Sequence, residues 1–168
     1  MKNILTLSTC FNCTDPNIGL APSLDHATQK CYMADTGLLV SHTFSDKSFI
    51  DNELYKAILF DKLNINEGMI MENIVTQMLW PKRERLYFYS RYDNLNRENN
   101  IEIDFLIAQG KKVTPIEVKS NNYTHHSSLD KFRKRFNPII GNSYILYTKD
   151  VMIKDDIIHL PVYMAGLL

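Results

Sequence analysis

The sequence predicts an α/β domain on a mixed β-sheet, and three observations carry that prediction. Residues 101–120, IEIDFLIAQGKKVTPIEVKS, read as two short strands joined by a tight turn at Gly110. Stretches with helical spacing lie before and after this hairpin, at residues 68–80 and 129–136. From Gly68 onward the elements run helix, strand, strand, strand, helix, strand. Three consecutive strands can pair antiparallel through short turns, and a strand after a helical crossover can join in parallel. The chain has 168 residues, enough for one domain with its own core.

Residues 1–29 carry no clear period and are punctuated by Asp15-Pro16, Gly19 and Pro22, so they read as a loosely organised lead-in to a domain over residues 30–168. Cys31, Tyr32 and Met33 suggest a short buried strand, and Asp35 reads better as a cap or turn residue than as a site residue. Residues 49–63 have helical spacing through Leu54, Ile58 and Leu59. A second helix opens at Gly68 and is ended by Pro81. Its apolar stripe is Met71, Ile74, Val75, Met78 and Leu79, and Glu72 borders that stripe. Spacing favours a solvated Glu72 over one aimed at a cation.

Residues 86–91, LYFYSR, alternate and are rich in aromatics, which reads as a strand; residues 91–100 form a polar loop. After the hairpin, Ser127 or Ser128 can cap a helix that turns Leu129, Phe132 and Phe136 inward and stops at Asn137-Pro138. Residues 144–147 read as a buried strand, and the tail adds another near residues 157–160.

Composition bounds the function. Nineteen Lys and Arg balance nineteen Asp and Glu, so attraction to a polyanion has to come from local patches. The densest patch is residues 111–135, where Lys111, Lys112, Lys119, Lys131, Arg133, Lys134 and Arg135 face only Glu117 and Asp130. No G-x-x-x-x-G-K-[ST] loop occurs, which removes that nucleotide site. No apolar run is long enough to span a bilayer and residues 1–13 make a poor signal peptide, so a cytoplasmic location without membrane attachment is expected. Three cysteines, Cys10, Cys13 and Cys31, do not make a disulfide framework. With His26 they suggest a zinc site, against the plainer reading of incidental thiols.

The chemistry is concentrated in the hairpin. Strict alternation puts Ile101, Ile103, Phe105 and Ile107 on one face of its first strand and Glu102, Asp104 and Leu106 on the other. On the second strand Val113, Pro115, Glu117 and Lys119 point one way. Paired around Gly110, Asp104, Glu117 and Lys119 can then meet on one face. Two carboxylates suit a hard divalent cation such as Mg²⁺ or Mn²⁺, which would polarise a phosphoryl oxygen and activate a water. Lys119 could steer that water or offset charge on the phosphate. The competing reading is a solvated hairpin with a weak surface ion pair. Against it, Phe105, Leu106, Ile107, Ile116 and Val118 surround the charges with apolar residues, and buried charge is costly.

At these residues the chain resembles the PD-(D/E)XK nuclease superfamily. The matching positions are Asp104 on one strand, Glu117-Val118-Lys119 on the next, and Glu72 on the preceding helix. The resemblance implies a restriction-endonuclease-like core in which Glu72, Asp104, Glu117 and Lys119 are catalytic and Glu72, Asp104 and Glu117 hold the metal. More closely, KCYMADTGLL, NEGMIMENIVTQML, LYFYSR, EIDFLI, PIEVKS and HHSSLDKF occur in this order. In this they are similar to the C-terminal domain (domain of unknown function 4143) of prokaryotic AAA-type ATPases. That resemblance covers about residues 30–147. The ATPase module is missing from this chain, so ATP hydrolysis is not expected and the chain reads as a truncated relative. Two functions follow as expectations. One is an Mg²⁺-dependent nuclease cutting DNA phosphodiesters, with DNA held by Lys131, Arg133, Lys134 and Arg135. The other is a non-catalytic module that binds nucleic acid or protein and regulates an ATPase partner. A zinc-stabilised binding domain is a distant third.

Overall fold

The computed structural model describes residues 7–17, 19–43, 67–121 and 123–168. The helix expected over residues 49–63 lies outside them. The described residues form an α/β fold on a mixed eight-stranded sheet. Its strands are β1 (Leu7–Cys13), β2 (Leu24–Met33), β3 (Leu86–Arg91), β4 (Ile101–Gln109), β5 (Lys112–Val118), β6 (Ser143–Tyr147), β7 (Met152–Lys154) and β8 (Ile157–Pro161). The spatial order is β2-β1-β3-β4-β5-β6-β8-β7. As expected, β3, β4 and β5 pair antiparallel in sequence order, and β6 adds to β5 in parallel after a helix. Gly110, at a φ of 59°, makes the β4–β5 turn possible without a Cβ penalty.

Three α-helices are described: α1 (Thr36–Thr43), α2 (Glu67–Leu79) and α3 (Ser127–Arg135). The sheet lies between two apolar layers, one under α2 and one under α3. Met71, Val75 and Leu79 of α2 pack with Phe88, Phe105, Ile116 and Val118. Leu129 and Phe132 of α3 pack with Tyr89, Ile103, Val113 and Ile145. Alternation along β6 confirms that these are opposite faces of the sheet, since Ile145 and Tyr147 belong to the α3 layer and Leu146 to the α2 layer. The charged helix α3 is held by only two fully buried side chains, Leu129 and Phe132. Each contributes about 1.5–3 kcal/mol, which leaves the remaining positions free to be polar or basic.

Two expectations change. Among the residues before 30, where a loosely organised lead-in was expected, the described ones supply β1 and most of β2, and residue 30 falls inside β2. The inward residues of β1 are Ser8, Cys10 and Asn12, all buried, so it shows no hydrophobic alternation. Asn12 is satisfied by Ser90, whose backbone N–H it accepts at 2.9 Å. β2 is an edge strand with one neighbour and is largely exposed, so it too lacks an apolar signature. The second change is at the start of α3. Ser127 is its first residue, and His126 occupies the N-cap without a side-chain cap bond, so neither serine caps it. The aromatics of residues 86–92 are also mostly core: Phe88 and Tyr89 are buried, while Tyr92 is exposed.

Candidate functional site

Asp104 sits where β4 breaks its own alternation. Tyr87 pairs with Leu106, but Tyr89 pairs with Ile103, so β4 carries one extra residue between those positions. Such a bulge reverses the faces beyond it. Ile101 and Ile103 therefore belong to the α3 layer, and Phe105 and Ile107 to the α2 layer. This corrects the expectation of one continuous apolar face from Ile101 to Ile107. The β4–β5 pairing runs from Gln109↔Lys112 to Phe105↔Ile116. Beyond it, the Asp104 carboxylate accepts the backbone N–H of Val118 at 2.8 Å.

Around Asp104 an ion cluster forms on the α2 side. Lys30 Nζ from β2 lies 2.9 Å from Glu102, 3.7 Å from Asp104 and 3.7 Å from Glu72. The hydroxyl of Tyr32 donates to Glu72 at 2.8 Å. Glu72 is thus aimed at a cation, contrary to the solvated reading favoured by spacing. Lys30 also lies over the Phe88 ring, 5.3 Å from its centroid. Burial alone would lower the Lys30 pKa, but Asp104, Glu72 and Glu102 reverse this and hold it above its ordinary value. Burial and the neighbouring Glu72 push the Asp104 carboxyl up to about 7, against the pull of Lys30 and of the Val118 N–H. Glu102, hydrogen-bonded to Lys30, stays below its ordinary value despite its partial burial.

Glu117 and Lys119 form a second pair beside this cluster: the Glu117 charge reaches Asp104 and the Lys119 charge reaches Glu102. Glu117 shares the parity of Val113 and so lies on the α3 side. It is 4% exposed; one carboxylate oxygen is 3.4 Å from Lys119 Nζ and the other, Oε2, has no hydrogen-bond partner. Burial raises its pKa, and Lys119 opposes that rise. At the start of α3, His126 Nδ1 lies 3.0 Å from Asp130. The structure therefore brings Glu72 together with Asp104, and Glu117 together with Lys119, on two sides of the sheet.

Beside α3 lies a groove of about 450 Å³ lined by Arg91, Lys131, Lys134 and Arg135 with Glu98, Asn99 and Ile101. Strand register sets its place. Arg91 pairs with Ile101 at the start of β4, the end of the sheet toward which β5 runs to reach Glu117. Arg133 points elsewhere and donates to the Asp155 carbonyl at 3.0 Å.

A comparison with known families matches residues 67–164, more than half of the chain, to the family described as Domain of unknown function (DUF4143). The chain belongs to that family. No curated protein and no solved structure matches it.

Within the DUF4143 stretch lie all four residues expected to form the site, and also Glu102. Lys30 and Tyr32 come from β2, before it. The divalent metal implied by the nuclease resemblance does not fit this donor set. Magnesium needs oxygens at about 2.1 Å in near-octahedral array. Among the described residues no group of three His, Cys, Asp or Glu side chains could hold a metal ion. Asp104 and Glu72 are spread around an ammonium, and Glu117 is on the other face. The zinc reading fails for a simpler reason. Cys10 and Cys13, three apart on a strand, are buried in opposite layers, while Cys31 is exposed.

Sequence reading missed Lys30, Tyr32, Glu102 and Asn73. Asn73 is 1% exposed, and its amide clamps α2 to β2, accepting from Met33 N at 2.8 Å and donating to Met33 O and Thr36 Oγ1 at 3.0 Å. A buried Asn inside an apolar stripe was the available signal, because such a group needs partners. Asp35 is a cap, as expected: its carboxylate accepts the Leu38 N–H at 2.9 Å. No described helix is long and apolar enough to cross a membrane.

Proposed function

We propose that this DUF4143 domain binds nucleic acid through the basic face of α3 and does not itself cut it. The observation that carries the reading is the groove in which Arg91, Lys131, Lys134 and Arg135 gather against one carboxylate, Glu98. A chain with no net charge has concentrated four cations at one concavity. Guanidinium and ammonium groups spaced along a groove suit successive phosphates, and counterion release then supplies most of the affinity. Lys134 and Arg135 are exposed, so phosphate contact requires no side chain to leave the core. The resemblance to ATPase-linked domains adds an ATPase as the protein partner that such binding would serve.

The metal-dependent nuclease is the competing reading, and the unpartnered Oε2 of Glu117 is the observation in its favour. One experiment separates them. Fluorescence anisotropy with labelled single-stranded and duplex DNA is expected to show salt-dependent binding, weakened at least tenfold by Lys131→Ala, Lys134→Ala and Arg135→Ala together. Plasmid incubated with Mg²⁺ or Mn²⁺ is expected to stay intact. Unchanged binding in the triple variant removes the groove from the account. Metal-dependent cleavage abolished by Glu117→Gln would instead establish the nuclease.

A further inference from the structure

At one end of the sheet β3 and β4 part, and a cavity opens beside them. Tyr87↔Leu106 is the last pair at that end of β3, whereas β4 runs on beside β5 to Gln109↔Lys112. The cavity holds about 490 Å³, within the range of small-molecule sites. The buried Leu20, Leu106 and Ile107 give it an apolar lining, and the half-buried Tyr87 adds a ring. Arg83 and Arg85 enter its wall from the segment that joins α2 to β3. The basic groove lies at the other end of the same two strands, on Arg91 and Ile101.

Arg83 is half-buried. Its Nη1 donates to the Leu79 carbonyl at 3.2 Å, which leaves most of its five N–H groups unused. Neither Arg83 nor Arg85 has an ion-pair partner among the described residues, although the exposed Glu84 shares their wall. Burial lowers the Arg83 pKa and no neighbouring charge opposes it. At Lys30 three carboxylates outweigh the same effect. The fold thus supplies a counter-ion to one half-buried cation and leaves the other at a cavity. Desolvated charge without a partner is costly, and an anion in the cavity removes that cost.

We infer that this cavity binds a small phosphate monoester, of mononucleotide or sugar-phosphate size, whose phosphoryl oxygens are taken by Arg83 and Arg85 and whose organic body lies against Tyr87 and the apolar lining. Two planar forks offer more donors than the two oxygens of a carboxylate can use. A phosphate monoester has three free oxygens and close to two negative charges, which suits both guanidinium groups. The inference is independent of the nucleic-acid reading, which concerns the other end of β3 and β4.

The test is calorimetry and thermal melting of the full chain at constant ionic strength, with adenosine 5′-monophosphate, ribose 5-phosphate, adenosine and acetate as probes. A phosphate monoester is expected to bind one to one and to raise the melting temperature. Adenosine and acetate are expected to bind at least tenfold more weakly. Whichever monoester binds tighter names the body: the nucleotide if its base lies on Tyr87, ribose 5-phosphate if a sugar suffices. Arg83→Lys keeps the charge but loses the fork, and it is expected to weaken binding at least tenfold. Arg85→Ala is expected to do the same, and it keeps the test open if Arg83 variants fail to fold, because Arg85 is exposed. No uptake of either monoester at millimolar concentration would overturn the inference. So would binding that is unchanged in folded Arg85→Ala, or adenosine or acetate bound as tightly as the monoester.

Discussion

Asp104 Oδ2 accepts the backbone N–H of Val118 at 2.8 Å, just beyond the last β4–β5 pair. Regular pairing has stopped at Phe105↔Ile116, so a side chain does there what a strand carbonyl does elsewhere. Leaving a buried donor unmatched costs about 1–3 kcal/mol. Asp104→Ala is therefore expected to lose about 2–3 kcal/mol in urea unfolding, since Lys30 also loses a partner. Asp104→Asn keeps an acceptor and is expected to lose less than half of that. Equal losses in the two variants would show that charge rather than the Val118 bond matters.

His159, in β8, is 2% exposed and makes edge-on ring contacts with both Tyr147 and Tyr123. Burial lowers its pKa below the ordinary 6.5. The unfolded chain then binds its proton more readily than the folded one. This contribution to stability is complete above about pH 6.5 and is lost as pH falls toward the depressed folded value. Asp104 and Glu117, whose pKa values are raised, act in the opposite sense as pH rises above their ordinary range. The readout is therefore the difference between wild type and His159→Phe. Between pH 7 and 5 the wild type is expected to lose stability relative to the variant, by at most about 1.4 kcal/mol per pH unit. A constant difference across that range would refute the assignment.

Arg133 and Lys134 are neighbours with different work. Arg133 bonds to the Asp155 carbonyl, whereas Lys134 lies exposed along the basic groove. Arg133→Ala is expected to cost about 1 kcal/mol of stability and to leave DNA affinity within twofold. Lys134→Ala is expected to change stability by less than about 0.5 kcal/mol and to lower the salt slope of binding by about one. Parallel melting curves and salt titrations check both, and reversed outcomes would relocate the phosphate contact to Arg133.

Asp155 and Asp156 join β7 to β8 with φ angles of 53° and 58°. Lys154 pairs with Ile157, so this is a two-residue hairpin loop with both central residues left-handed. That conformation is strained for a residue with a Cβ and free for glycine. Asp156→Gly is expected to stabilise the chain by about 0.5–1 kcal/mol, and Asp156→Val to destabilise it by more than that. Thermal melts give the comparison, and a glycine variant that melts lower would contradict the turn assignment.

The sequence by itself determined the middle of this protein. The order of β3, β4, β5, α3 and β6, the antiparallel and parallel senses of their pairing, and the burial of Leu129 and Phe132 follow from period and turn chemistry, which act between near neighbours. The basic composition of α3 was legible for the same reason. Tertiary structure alone decided which charges meet. One extra residue in β4 reversed the faces around Asp104, and no pattern in EIDFLI announces it. Lys30 reached Glu72, Glu102 and Asp104 because β1 and β2 joined the sheet. The inward residues of β1 are Ser8, Cys10 and Asn12, and β2 is an exposed edge, so neither carries the apolar alternation by which a strand is read. A periodic signal reports which side of an element is buried; it does not report which distant element the buried or charged side will face.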